Sequence, residues 1–160
     1  MTGLIRLALP GDRAAVVACV TAAFEVFTAQ IGKPPAPMLA DYAALIGERR
    51  VHLLEQRGAV LGALVTEPRP DHLFVDVVAV PPAAQRRGIG RRLMALAEAE
   101  AARRGLAEVR LYTHEVMSGA RALYPALGYR ETARRFEDGY ARIYFARRVP
   151  PVNDDVTLGR

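Results

Sequence analysis

The residues with the clearest chemical potential stand at Gln85-Arg86-Arg87-Gly88-Ile89-Gly90, between a β-like run and a long helical pattern. A helix N-terminus offers backbone N–H groups with no partner inside the helix, and the positive end of its dipole, so it attracts anions. Glycines at 88 and 90 remove side chains that would block close approach, and they permit unusual φ values. Arg86, Arg87, Arg91 and Arg92 surround the same turn. Together these features make a site for a pyrophosphate. The same residues also fit a glycine-containing βα loop with solvated arginines. Two other phosphate loops fail on detail. No Gly-Lys is followed by Ser or Thr, as a Walker A loop requires, and a Rossmann fingerprint needs a third glycine or alanine where Leu93 stands.

The elements around this turn follow from apolar spacing. Leu4 to Leu9 reads as a first strand. Gly11-Asp12 can cap a helix from about Arg13 to Gln30, because Val16, Val20, Ala23, Phe24 and Phe27 fall on a 3.6-residue period. Gly32 to Pro37 is a short proline-rich break, and Met38 to Gly47 reads as a second helix. Val51–Gln56 and Ala59–Thr66 form a hairpin about Arg57-Gly58. Leu73 to Val80 is the most β-like run, stopped by Pro81-Pro82. After the arginine turn a helix runs to about Arg104, with Gly105 as C-cap. A strand from Ala107 to Thr113 and a helix from Met117 to Leu127 follow. Tyr129–Phe136 and Tyr140–Arg147 are then joined through Glu137-Asp138-Gly139, a hairpin signal.

That order predicts an α/β fold in a single domain over residues 1–148, followed by a tail from Val149 to Arg160. The length of 160 residues suits one domain. Net charge is +5 and Lys33 is the only lysine, so arginine dominates a surface that favours polyanions. Cys19 is alone, which excludes an internal disulfide and fits a reducing, cytoplasmic setting. His52, His72 and His114 add no metal-ligand spacing, so no metal is expected. No apolar run approaches the ~20 residues of a membrane span, and no secretory signal is visible, so no membrane partner is expected.

Gln85-x-x-Gly88-x-Gly90, preceded by Val78-Ala79-Val80-Pro81, resembles the acetyl-CoA-binding motif of the GNAT superfamily of N-acyltransferases. Ala122-Leu123-Tyr124-x-x-Leu127-Gly128-Tyr129 is similar to that superfamily's second motif. The resemblance spans Leu4 to about Arg147. It implies a mixed, mostly antiparallel central sheet of about seven strands, flanked by about four helices. It also implies that a bulge splays the strand before the turn from its neighbour, so that Val78, Ala79 and Val80 pair with the pantetheine arm. The amides of Arg86, Arg87, Gly88, Ile89, Gly90 and Arg91 would then hold the diphosphate, with Gln85 in the same motif. Tyr124 stands where the family places a tyrosine whose hydroxyl approaches the CoA sulfur. A phenol is a plausible donor to a leaving thiolate, although the residue also fits a packed helical aromatic.

Two positions depart from the pattern. Met117 stands where many members carry asparagine, so Ser118 or backbone would contact the cofactor instead. Phe74 stands where some members carry a basic glutamate. Asp76, two residues on with the same parity, is the candidate base, directly or through water, and also fits an ordinary polar contact at the sheet surface. His72 and His114 lie near strand ends, and Cys19 reads as a small core residue. Phe27, Ile31, Met38 and Asp41 are expected to line the acceptor cleft with Phe24, Pro34, Pro35 and Tyr42. Asp41 would bind a cationic amine, or else is a solvated helix residue.

The leading expectation is an acetyl-CoA-dependent N-acetyltransferase acting on a primary amine of a small molecule or protein. The alternative is a GNAT-fold module that binds acyl-CoA without turnover, as a sensor or interaction domain. A homodimer stays open in either case. Nucleic-acid binding is disfavoured, because the arginines cluster at one turn without interleaved aromatics.

Overall fold

The structure, a computed structural model, describes residues 3–151. Seven strands form one sheet in the order β1-β2-β3-β4-β5-β7-β6. They are β1 (Leu4–Leu7), β2 (Val51–Gln56), β3 (Ala59–Pro68), β4 (Leu73–Ala79), β5 (Glu108–His114), β6 (Arg130–Glu137) and β7 (Tyr140–Arg148). Only the β4–β5 pair is parallel. The long helix between those two strands is the crossover that a parallel pair requires.

The helices are α1 (Arg13–Phe24), α2 (Thr28–Ile31), α3 (Tyr42–Gly47), α4 (Ile89–Arg103) and α5 (Ser118–Ala126). The first predicted helix is therefore broken: a 3-10 turn at Glu25–Phe27 separates α1 from α2. Asp12 stands at the N-cap of α1, but its side chain does not cap it. Its carboxylate instead accepts from the two terminal guanidinium nitrogens of Arg6 at 2.7 and 2.9 Å, and from the Leu9 N–H at 2.7 Å. The second predicted helix is also split, into a 3-10 turn at Ala36–Leu39 and the short α3.

Two apolar cores sandwich the sheet. Val16, Cys19, Val20, Ala23 and Phe24 of α1 pack with Val65, Val77 and Ala79 on one face. Ile89, Leu93, Met94, Ala97 and Ala101 of α4 pack with Leu73, Val75 and Leu111 on the other. By length and composition the stretch Pro10–Ile31 is apolar enough to cross a membrane, contrary to the expectation that no such stretch exists, because its few polar residues interrupt the apolar run without lowering its mean hydropathy much. In this fold its inner stripe is buried against the sheet, and Cys19 is indeed a core residue. Gly62 brings α4 down onto β3: a Cβ there would stand 2.8 Å from Ile89 Cγ2 and 3.1 Å from Leu93 Cδ1.

The last hairpin turns at Asp138 and Gly139, both at positive φ (52° and 80°), as a two-residue turn of the right twist requires. The Val149 N–H donates to the Ala107 carbonyl at 2.8 Å, so the start of the predicted tail is tied to the residue that leads into β5. Residues 152–160 of that tail lie outside the described residues.

Candidate active site

The site begins with a register error in β4. Thr66 pairs with Val75 and Val65 with Val77, so Asp76 is an extra residue with no partner on β3. A bulge of this kind re-aims the side chains that follow. Leu73 and Val75 accordingly face the α4 core, whereas Val77 and Ala79 face the α1 core and Val78 and Val80 turn toward α4. On its other edge β4 pairs with β5 only from Leu73–Val109 to Val75–Leu111. Beyond that point the two strands carry on separately, to Ala79 and His114. The splay implied by the sequence resemblance is thus present, and it starts at the bulge.

The open end leads to the arginine turn. Arg86 and Gly88 have φ of 65° and 72°. Alternation of left-handed and right-handed residues turns successive N–H groups toward one point, an anion-binding nest. Gly88 is the N-cap of α4, and a Cβ there would meet nothing within 4 Å, so the space in front of the amides is clear. The first helical backbone bond closes only at Arg92, whose N–H donates to the Gly88 carbonyl at 3.1 Å. Arg86, Arg87 and Arg91 are exposed and form no ion pair among the described residues. Gln85 braces the turn, since its Nε2 donates to the Val80 carbonyl at 3.1 Å. Arg92 points elsewhere, donating to the Gly3 carbonyl at 2.7 Å. Ser118 is exposed in the first turn of α5.

Between the splayed strands and α5 lies a cavity of about 80 Å³. Its walls include Asp76, Val77 and Val78 of β4, Tyr112 to His114 of β5, Met117, Ala120 and Tyr124 beside or on α5, and Tyr140 and Arg142 of β7. Phe24, Ile31 and Pro35 to Pro37 complete it. The proline loop is strapped in place from three sides. The Tyr42 hydroxyl donates to the Pro37 carbonyl at 2.5 Å, the Tyr140 hydroxyl to the Pro34 carbonyl at 2.6 Å, and Lys33 Nζ to the Asp138 carbonyl at 2.6 Å.

Tyr124 is buried against Tyr129 and Phe145, with ring centroids 5.9 and 5.7 Å away. Burial pushes its hydroxyl well above the ordinary tyrosine range, so it stays protonated. No hydrogen bond engages that hydroxyl among the described residues. Asp76 is half-buried and paired with Arg50, which also donates to the Thr66 carbonyl at 2.8 Å. Burial raises the Asp76 carboxyl above the usual range, and Arg50 opposes that shift.

His114 is no plain surface residue. The Val116 N–H donates to its Nδ1 at 3.2 Å and the Ala141 N–H faces its Nε2 at 3.3 Å. Protonation of Nδ1 would set a ring N–H against the Val116 N–H, and burial likewise lowers its pKa, so both effects favour the neutral ring. His72 lies away from the cavity, with Nδ1 2.6 Å from Asp71.

Of the expected acceptor residues, Ile31 joins the cavity, together with Phe24 and Pro35. Phe27, Met38 and Asp41 do not line it. The break after Phe24 redirects Phe27, and Met38 belongs to the 3-10 turn beyond the proline loop. Asp41 is the N-cap of α3, its carboxylate accepting from the Ala44 N–H at 3.1 Å. Sequence reasoning missed Tyr112, Tyr140 and Arg142. Alternation along β5 and β7 could have placed them on one face, but only the splay shows that this face is hollow.

Comparisons with known proteins converge on one family. The model of the Acetyltransferase (GNAT) family matches residues 17–129, more than half of the chain. A mycothiol acetyltransferase from Amycolatopsis mediterranei is 35% identical over 136 residues, which is 78% of this chain. The match covers 45% of that protein, so the chain spans less than half the length of this curated relative. The ribosomal-protein-S18-alanine N-acetyltransferase from Escherichia coli has 25% identity and a TM-score of 0.75, covering 97% of this chain and 99% of its own. The structure of yncA from Salmonella typhimurium, solved with its cofactor acetyl-CoA, shares the fold at 20% identity and a TM-score of 0.71, over 94% and 95% of the two chains. The clear space before the α4 amides, the unpaired arginines and the β4–β5 splay all suit the co-substrate that GNAT enzymes use, acetyl-CoA. The chain belongs to the Acetyltransferase (GNAT) family.

Proposed function

We propose that this chain transfers the acetyl group of acetyl-CoA to a primary amine of a small molecule or protein. One observation carries the reading. The β4 bulge splays β4 from β5, and that strand leads from a cavity lined by both a buried tyrosine and a carboxylate toward the anion-binding turn. Phosphate anchoring, a free strand edge and an acid–base pair are thus all tied to β4 and the elements that flank its open end.

Acetyl-CoA supplies an activated acyl carbon and a thiolate leaving group. The chain's own residues do the rest. The amides of Gly88 to Arg91 and the side chains of Arg86, Arg87 and Arg91 bind the diphosphate. Val78, Ala79 and Val80 offer an unpaired strand edge to the pantetheine amides. The Val80 N–H, which has no backbone partner among the described residues, polarises the carbonyl oxygen. Asp76 takes a proton from the attacking amine, directly or through water, as the new C–N bond forms. Tyr124 donates to the sulfur as the C–S bond breaks. Met117 packs beside this path and accepts at its sulfur from the Thr113 hydroxyl at 3.5 Å, so Ser118 or backbone takes the polar contact that an asparagine would make.

A homodimer is supported by the outer face of α1, where Val17 is 41% exposed beside exposed Ala14 and Ala18. Sedimentation equilibrium tests it, a single monomer mass across concentrations ruling it out.

The reading is tested by thermal shift with acetyl-CoA, followed by free-thiol detection over a panel of amines. Stabilisation of about 2.7 kcal/mol is expected at a hundredfold excess over the dissociation constant. No shift at millimolar acetyl-CoA would remove the central claim. A shift without thiol release on any amine would leave a binding module.

A further inference from the structure

We propose that Arg142 binds a carboxylate on the acceptor, so that the site takes small amino acids in preference to simple amines. The inference rests on the acetyl-transfer reading above and names the acceptor class for that same cavity.

The guanidinium is only half committed. Arg142 Nη1 pairs with Glu137 Oε2 at 3.1 Å and Asp138 Oδ2 at 3.4 Å. Its Nε is buried and has no hydrogen-bond partner among the described residues. A buried donor without an acceptor is costly, and native structures keep such donors chiefly where something else satisfies them. The side chain is only 12% exposed, yet it belongs to the wall of the acceptor cavity. The residue that carries the unmet donor is therefore one of those that line the site.

The group is also held rigidly. Its central carbon stands 4.4 Å from the Tyr112 ring centroid and 5.7 Å from that of Tyr140. Its backbone pairs with His114 in the β5–β7 register. Stacking of this kind fixes the guanidinium plane, and a fixed plane suits a carboxylate, which meets two N–H groups side by side. The acids on Nη1 stand at the tip of the last hairpin, and Asp138 is 81% exposed, so water screens its charge.

Asp76 and Arg142 share the cavity, and Arg142 stacks on the Tyr112 ring of the same wall. A zwitterion matches that pair: its amine goes to the β4 side with Asp76, its carboxylate to Arg142. Phe24, Ile31 and Pro35 of the same wall offer no charge and select an apolar side chain. A simple alkylamine would leave the Arg142 donor unmet.

The test is calorimetric binding to the CoA-saturated protein, so that it does not depend on turnover. L-leucine, L-phenylalanine and L-methionine are each compared with their primary amide and their decarboxylated amine. At least one acid is expected to bind about 10- to 100-fold more tightly than its two analogues. Arg142→Met should bring that ratio to within about threefold, and Arg142→Lys should retain part of it. If Arg142→Met fails to fold, the lysine variant and the unmodified protein still decide the matter. Equal binding within every series, no binding by any acid, or a preference that survives in Arg142→Met would each overturn the proposal. Thiol release is read separately on the same panel. Release without acid preference keeps acetyl transfer and removes the role of Arg142, whereas acid binding without release does the reverse.

Discussion

A Cβ on Gly90 would stand 3.3 Å from Leu123 Cδ2, so this glycine sets how closely the N-terminus of α4 approaches α5. The same atom would lie 4.0 Å from Val80 Cγ2. Three parts of the site therefore meet at one residue without a side chain: the anion-binding turn, the helix that carries Tyr124 and the end of β4.

Gly90→Ala should nearly preserve stability. The alanine gains roughly 0.5–1 kcal/mol of helix preference, while the Leu123 methyl must yield a few tenths of an ångström. Gly90→Val adds branches in the same gap and should cost about 1–3 kcal/mol. Urea unfolding of the two variants checks this. Equal loss in both would mean that backbone geometry, not the Leu123 contact, governs the position.

Gly88 makes a different demand. It sits at φ +72° with open space around it, so a side chain there is limited by backbone conformation and not by crowding. Gly88→Ala should cost about 1–2 kcal/mol of stability and still bind acetyl-CoA. Gly88→Glu should fold about as well as the alanine variant but lose the acetyl-CoA-induced shift in Tm, because a carboxylate would occupy diphosphate space. Retained affinity in folded Gly88→Glu would place the phosphate site elsewhere.

Much of this site is legible in the amino-acid sequence. The turn at Gln85 to Gly90 and the Tyr124 helix announce themselves by residue type and spacing, and both depend on local backbone chemistry. The acceptor wall was not legible, because it depends on where chain segments end up. Asp41 fits an amine-binding acid or a solvated helix residue, yet a residue ahead of a short helix is also where a capping carboxylate belongs. Phe27 followed a helical period that the 3-10 turn at Glu25 interrupts. Arg142 lies on a strand where polar and apolar residues mix, and only the β4–β5 splay makes its face a cavity wall.

Asp76 gives a prediction with a definite sign. Burial raises its folded-state pKa, so the folded protein holds this proton more readily than the unfolded chain. The stability this confers is present below the ordinary carboxylate pKa and is lost as pH rises through the raised folded value. Asp76→Asn removes the titration and leaves Arg50 with Glu48 at 3.2 Å and Glu67 at 3.7 Å. From about pH 4 upward, wild type should therefore lose stability relative to Asp76→Asn. Turnover of the variant should fall about 10²–10⁴-fold if the carboxylate takes the proton from the amine. Unfolding at several pH values and kcat on one accepted amine separate the two effects. Undiminished kcat would leave Asp76 as the partner of Arg50 alone.

Tyr124→Phe isolates one hydroxyl. The ring packs on Tyr129 and Phe145, so a phenylalanine keeps the helix and the cavity wall in place. That hydroxyl has no partner among the described residues, so its removal leaves no protein group unsatisfied. Stability and acetyl-CoA affinity should therefore change little. Turnover should not escape so lightly. Burial keeps the phenol protonated through the working pH range, which is the form that can donate to a departing thiolate. The same burial makes it a weaker acid, so it supports the sulfur by hydrogen bonding more than by full proton transfer. The loss should then sit at the low end of general-acid effects, about 10²-fold in kcat. Its own titration lies above the accessible range, so the variant should lower the whole pH–rate profile without moving its alkaline limb. The measurement is kcat against pH for both proteins on one accepted amine, with acetyl-CoA affinity determined separately. Equal kcat, where the chemical step limits the rate, would assign Tyr124 to packing and send the search for the sulfur's proton donor elsewhere in the cavity.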